Sequence, residues 1–410
     1  MISSLLDNEL SVFAVQQGIL GFFPGLQAEY TFHDREGSRR YPRHFVEALE
    51  ESIKGLAGLR LQPEELSWLK TVAFFPAEYL KYLQNYRFNP ELVTVGSEGD
   101  ERLHLKVKGP WEEAVLWQAP LQSLVNEVYF REVDNDWDVD LDSYYAMTLD
   151  KASNLISLGL TLVERGTRYR RSFDLHEVVV RALRSASGIS TDGGKGMLFT
   201  TNLHLSRLYG VSALAGIPHE WVSAHECRFG LKRAYPQSLE NWRTIHQGQH
   251  AVASADTFTA NLFFSQLSST MARAFRGLRS DSGEPRDFFE QVIAFYFEHG
   301  IDPAEHFLLL TEGLDVEAVG PLVDHIGGRM PLYLGLGAEW VNDFPQGSNK
   351  GMSFYLEKLD DQPVVRTSSI PEKAFGSRHS VQSLFHQIVQ LQYEIEREAG
   401  YRPSDLPPQP

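Results

Sequence analysis

The sequence predicts an α/β protein of 410 residues, on three observations. Short apolar runs alternate with amphipathic stretches over residues 157–344, the pattern of βα units on a parallel sheet or barrel. Residues 1–120 instead mix helical and strand patterns, which suits an α+β region. The composition is that of a globular chain, 42% hydrophobic and 22% charged. A chain of this length suits two or three domains, or one barrel-sized domain with an attachment, and covers roughly three quarters of its unfolded surface.

Residues 64–86 set Leu66, Leu69, Phe74 and Leu80 among charged and aromatic positions and predict one helix. Leu103-His104-Leu105-Lys106-Val107-Lys108 alternates apolar and basic residues up to Gly109-Pro110, a half-buried strand with a stop. Asp134, Asp136, Asp138, Asp140 and Asp142 fall on every second position. A calcium loop needs glycine where Val139 stands and a bidentate glutamate where Tyr145 stands, so a solvated acidic connector is expected instead. Strand-like runs follow at 158–163, 211–214, 251–255, 274–278, 306–310 and 332–336. Between the later ones, helices are predicted at 288–297, stopped by Gly300, and at 315–326, stopped by Gly327-Gly328. The last stretch, from Met352 on, holds one more strand-like piece, a helix covers 381–397, and the proline-rich residues 401–410 read as a disordered tail.

Net charge is −16, from 38 basic and 54 acidic residues, so nucleic acid is not an expected partner. The single cysteine, Cys227, leaves neither an internal disulfide nor a CxxC zinc site and suits a reducing compartment. The opening residues lack a signal-peptide pattern, and no apolar stretch approaches the ~18 residues of a membrane span. A soluble, cytoplasmic protein without a membrane partner is expected. Residues 188–196 are glycine-rich, but Gly194 stands where a P-loop carries lysine, so a mobile loop is expected there.

In a parallel βα array the ligand lies at the carboxyl ends of the strands. The sequence places there Gly166-Thr167-Arg168-Tyr169-Arg170-Arg171, His219-Glu220-Trp221, Asp256-Thr257, Arg279-Ser280-Asp281-Ser282-Gly283, Thr311-Glu312-Gly313 and Gly335-Leu336-Gly337. Arginine forks match phosphates and carboxylates. Glycines let backbone N–H groups approach a phosphate, and paired acids hold ribose hydroxyls or Mg²⁺. Each motif also has a plain structural reading. His219 can be a core histidine, loop 166–171 a salt-bridge cluster, and Asp281-Ser282-Gly283 a turn capping the next helix. Their joint placement points to an enzyme for a phosphorylated, sugar-bearing substrate and leaves the reaction open.

These motifs, in this order and together with Thr201-Asn202, resemble those of nicotinate phosphoribosyltransferases, a type II phosphoribosyltransferase family. Val15-Gln16-Gln17, Tyr86-Arg87-Phe88-Asn89-Pro90 and Gly109-Pro110-Trp111 are similar too, so the likeness runs from Leu5 to about Ala374. The resemblance implies an incomplete (β/α) barrel at 126–351 and an α+β domain built from 1–125 and about 352–400. It implies a homodimer with sites completed across the interface. It also implies an NAD-salvage reaction, in which nicotinate and phosphoribosyl pyrophosphate give nicotinate mononucleotide and pyrophosphate, with ATP hydrolysed through a transient phosphohistidine. His219 would be that histidine. Arg279, Arg168 and Arg170 would bind carboxylate and phosphates. Asp281 and Asp256 would hold ribose hydroxyls or Mg²⁺-pyrophosphate, with Asp281 the metal candidate. Thr167, Asn202, Thr311, Gly335 and Gly337 would complete the substrate site.

The chain departs from the family pattern at several of these places. Ser11-Val12 replaces a Tyr-Lys pair whose tyrosine stacks on the pyridine ring. Tyr169 replaces an arginine, Ser280 a histidine, Asn261 an aspartate and Ala338 a threonine. Arg366-Thr367-Ser368-Ser369 replaces Lys-Leu-Ser-Asp. Two alternatives therefore stand beside the family activity: a phosphoribosyltransferase for another base, and a non-catalytic paralogue that binds a nucleotide or a protein.

Overall fold

The computed structural model describes residues 2–35, 37–72, 75–97, 99, 101–134, 139–188, 198–247, 252–311, 316–344, 351–367 and 374–398. The strands, in chain order, are β1 (Gln27–Asp34), β2 (Val93–Ser97), β3 (Leu103–Pro110), β4 (Thr161–Glu164), β5 (Leu198–Thr200) and β6 (Ser212–Ala213). They continue with β7 (Val252–Ser254), β8 (Gly277–Ser280), β9 (Phe307–Leu310), β10 (Leu332–Leu336), β11 (Met352–Leu359) and β12 (Gln362–Pro363). Two sheets result, an antiparallel one ordered β12-β11-β1-β3-β2 and a parallel one ordered β6-β5-β4-β10-β9-β8-β7. The expected class is the observed one: an incomplete barrel beside an α+β layer drawn from both ends of the chain.

The parallel sheet is curled. Just after β6, the Ile217 N–H donates to Val252 O of the opposite edge strand at 2.8 Å, and Ser254 Oγ donates to Ile217 O at 2.6 Å. One face of the sheet packs Leu162, Leu278, Leu308 and Leu334 into the main core. The alternate positions Val163, Val252 and Leu309 form a separate cluster with Phe199, Phe307 and Tyr333. This two-residue alternation of faces is the period a strand imposes. Gly277 has to be bare, because a Cβ there would lie 2.4 Å from the Phe307 ring.

Differences from the sequence expectations have local causes. The single helix expected over 64–86 is two, Pro63–Leu69 and Ala77–Asn85, because Pro76 cannot donate to a helical ladder and instead caps the second. β5 was not anticipated; it is only three residues long and follows the glycine-rich stretch. β8 begins at Gly277, since Ser269–Ala274 is helical behind its Ser268 cap. Asp140 closes the acidic connector as the N-cap of helix Leu141–Ser157, accepting from the Asp142 and Ser143 N–H groups. Helix Gln118–Glu132 runs unbroken through the expected 125/126 boundary. Residues 135–138, 189–197 and 401–410, where an acidic connector, a mobile loop and a disordered tail are expected, lie outside the described residues.

The N-terminal segment locks onto the barrel rim. Leu10 N–H donates to Thr201 O at 2.7 Å, and the Leu203 and His204 N–H groups donate to Asn8 O and Leu6 O. Beneath it, the fully buried Arg170 holds both oxygens of Asp7 (2.7 and 2.9 Å) and Glu127 Oε1 (2.8 Å). Burial would raise the Asp7 carboxyl, but Arg170 and Asn202 outweigh it and hold it at about 2. Removing one partner of a buried ion pair leaves an uncompensated charge. Asp7→Ala is therefore expected to cost about 3–5 kcal/mol, read as a lower denaturation midpoint by circular dichroism. A midpoint equal to wild type would refute this account of the junction.

Candidate active site

The carboxyl ends of the parallel strands and one face of the antiparallel sheet enclose a cavity of about 440 Å³. The barrel rim supplies Arg165, Arg168, His219, Arg279, Asp281 and Thr311. The segment before and into the first helix, Leu10–Phe22, supplies Glu9 and Ser11. The opposite wall carries Tyr355, Arg366 and Phe375, with the Tyr355 and Phe375 rings stacked at 4.5 Å.

Asp281 is the centre of this site. It follows β8 and accepts from Arg279 Nε at 2.6 Å, from Arg279 Nη2, from Thr311 Oγ1 and from His219 Nε2 at 2.9 Å. Burial alone would raise its carboxyl, but Arg279 and His219 hold it well below the usual carboxylate range. Burial lowers His219, and the nearby Arg366 lowers it further, so the imidazole is neutral at pH 7. The partners assign its tautomer: Nε2–H donates to ionised Asp281, and Nδ1 accepts from Thr257 Oγ1 at 3.0 Å. His219 opens helix His219–Phe229 behind Pro218, so helix geometry fixes its position.

A second set of charges lies nearer the N-terminal segment. Arg168 Nε donates to Glu9 Oε2 at 2.9 Å. Glu220 Oε1 accepts from Tyr30 Oη at 3.1 Å, and Tyr30 accepts from Trp111 Nε1 at 2.8 Å. Burial pushes the Glu220 carboxyl up to about 7, against the pull of Arg168.

Of the expected site residues, the structure brings His219, Arg279, Asp281, Arg168, Thr311 and Gly337 to the cavity. It removes others. Arg170, Thr167 and Asn202 are fully buried, with Asn202 Nδ2 donating to Asp7 Oδ1 (2.8 Å) and Thr167 Oγ1 (3.1 Å). They brace the rim and have no face toward a substrate. Gly335 lies within β10, where a Cβ would lie 3.0 Å from Thr311 Cγ2, so it is a packing glycine. Asp256 sits behind the Asp281 loop, accepting from the Asp281 N–H at 3.0 Å and from Ser282 Oγ at 2.6 Å. Asp281 does not fit a resident Mg²⁺, because both of its oxygens are engaged by donors. Among the described residues, no cluster of three His, Cys, Asp or Glu could hold a metal. The Gly337 N–H donates to Glu339 Oε1 at 3.0 Å, so that turn carries its own anion. Glu312 lies outside the described residues.

The altered positions divide in the same way. Ser11, Tyr169 and Ala338 line the cavity, whereas Val12 is in the core and Asn261 is exposed on a helix. Sequence reasoning missed Glu9, Arg165 and the Tyr355–Phe375 pair, and marked Arg366 only as a departure from the family pattern. Arg165 had a signal, standing two residues past the strand predicted at 158–163. The others reach the site by long-range packing. Among the described residues, no helix is long and apolar enough to cross a membrane.

A curled βα barrel whose rim gathers arginines, a buried aspartate and a neutral histidine under a second layer defines an enzyme of anionic substrates. Two family models match, the nicotinate phosphoribosyltransferase N-terminal domain over residues 6–126 and the nicotinate phosphoribosyltransferase family over 160–389. The chain belongs to the nicotinate phosphoribosyltransferase family. It is 33% identical over 401 residues to a nicotinate phosphoribosyltransferase of Methanosarcina mazei, covering 93% of this chain and 97% of the relative. That of Chromohalobacter salexigens is 33% identical over 383 residues, covering 92% and 95%. The crystal structure of the nicotinate phosphoribosyltransferase from Porphyromonas gingivalis superposes with a TM-score of 0.87 at 25% identity, covering 95% of this chain and 100% of that one.

The Glu220 environment predicts a pH effect. Its folded value near 7 lies above the ordinary 4.5, so the folded protein binds the extra proton and loses stability as pH rises between those values. Glu226, raised to about 7 by burial, is common to wild type and variant and cancels. The stability of Glu220→Gln relative to wild type should therefore improve by about 1–3 kcal/mol from pH 5 to pH 8. Denaturation at the two pH values measures this, and a difference independent of pH would contradict it.

Proposed function

We propose that this protein joins nicotinate to phosphoribosyl pyrophosphate, forming nicotinate mononucleotide and releasing pyrophosphate, with ATP hydrolysed through a phosphate carried on His219. The carrying observation is His219 itself, buried and neutral between Thr257 and Asp281 at the mouth of an arginine-lined cavity. A neutral imidazole whose Nε2–H is held by a carboxylate keeps its Nδ1 lone pair as a nucleophile once the Thr257 hydroxyl rotates away. That lone pair attacks the γ-phosphorus of ATP; the N–P bond forms, the bond to the ADP oxygen breaks, and Asp281 stabilises the positive charge on the ring.

In the ribosyl step the C1–O bond to pyrophosphate breaks and the pyridine nitrogen bonds to C1. Negative charge grows on the leaving group and positive charge on the ribose. Arg279 and Arg168 would stabilise the first, and Asp281 the second. Thr311 holds Asp281 in place. Mg²⁺ is supplied with the phosphate substrates, and no side chain is assigned to it. A homodimer and a cytoplasmic location complete the reading, the first testable by light scattering.

The test is mass spectrometry of protein mixed with nicotinate, phosphoribosyl pyrophosphate and Mg²⁺, with and without ATP. Nicotinate mononucleotide should form faster with ATP, and intact mass at basic pH should show one acid-labile phosphate per chain, absent from His219→Ala. No product under any of these conditions would overturn the reading.

A further inference from the structure

Arg165 follows β4 directly, and its side chain crosses β10 with Cδ 3.2 Å from where a Cβ would sit on Gly335. The bare glycine is what admits it. Arg165 lines the cavity together with Arg279 and, among the described residues, makes no hydrogen bond or ion pair. The acids within reach are engaged elsewhere. Glu9 holds Arg168, and Asp281 holds Arg279, His219 and Thr311. Arg170, five residues on, shows the contrast, neutralised by two carboxylates.

A cation taken from water beside a second cation is costly unless an anion completes it. Burial and the charge of Arg279 both work against the Arg165 cation. Arg279 commits Nε and Nη2 to Asp281. Nη1 of Arg279 and the whole Arg165 fork therefore remain for a ligand. We propose that Arg165 is a specificity-determining residue, whose fork binds a planar or tetrahedral oxyanion of the substrate, a carboxylate on the base or a phosphate of the ribosyl donor. This assignment rests on the proposed reaction for its choice of anions.

The test is calorimetry on the full chain with nicotinate, inorganic pyrophosphate and phosphoribosyl pyrophosphate taken separately, for wild type, Arg165→Gln and Arg165→Lys. Arg165→Gln should weaken binding about tenfold or more, and Arg165→Lys should recover part of the loss without the bidentate geometry. A loss confined to nicotinate identifies the carboxylate, and a loss confined to the two phosphates identifies the donor. Loss for all three indicates a shared fork. The thermal midpoint of Arg165→Gln should equal or exceed that of wild type, because an unpaired, partly buried charge is removed; a bracing residue would lower it. Affinities within about twofold of wild type for all three ligands overturn the proposal. Wild type that binds the anions yet forms no nicotinate mononucleotide refutes the reaction and leaves the Arg165 comparison readable.

Discussion

Arg170 carries a full charge out of contact with water, and the junction of the two sheets is organised around neutralising it. Asp7 and Glu127 do so from two separate elements, so the N-terminal segment and helix Gln118–Glu132 are both tied to the loop after β4. The pairing has a register. Arg170 meets Asp7 and Arg168 meets Glu9, so loop and segment run antiparallel with one ion pair sealed and the next opening on the cavity. The sealed pair sets the position of the working one. It also sets Ser11 at the cavity wall and turns Val12 into the core.

The other charged cluster of the cavity follows β8, where Asp281 gathers four donors from three side chains. Such an aspartate stays ionised despite its burial, and its charge fixes the tautomer of His219. Burial and Arg366 keep that imidazole neutral, the state in which one ring nitrogen keeps its lone pair. Family membership and this arrangement agree. Ser280 points its hydroxyl at Ser282 O, and Asn261 faces solvent.

The strand-end rule made much of the site legible: it finds Arg168, His219, Arg279, Asp281 and Thr311 without knowing the reaction. It fails where a loop has two sides. Arg168 and Arg170 are two residues apart in one motif, yet only one faces the cavity, and the choice is made by Asp7 more than 150 positions away. Thr167 and Asn202 followed Arg170 into that buried network. Glu9 and the Tyr355–Phe375 wall had no local signal, because they come from segments that meet the rim only in the folded chain. The fold was easier to read, since apolar runs and glycine stops are local. Its errors include a proline that interrupts a periodic stretch, at Pro76, and a strand as short as β5.

The pairing of β1 with β11 sets the order in which the molecule is completed. Ala28 lies opposite Leu359, so the two strands are more than three hundred residues apart in the chain. A nascent chain can close the barrel from neighbouring βα units while one edge of β1 still waits for its partner. Bringing such distant segments together costs loop-closure entropy and slows folding, and a waiting edge invites pairing with other chains. The wall with Tyr355 and Arg366 arrives on that same late segment. The cavity therefore closes only when synthesis has nearly finished, and shortened chains emerge with a barrel but no enclosed site.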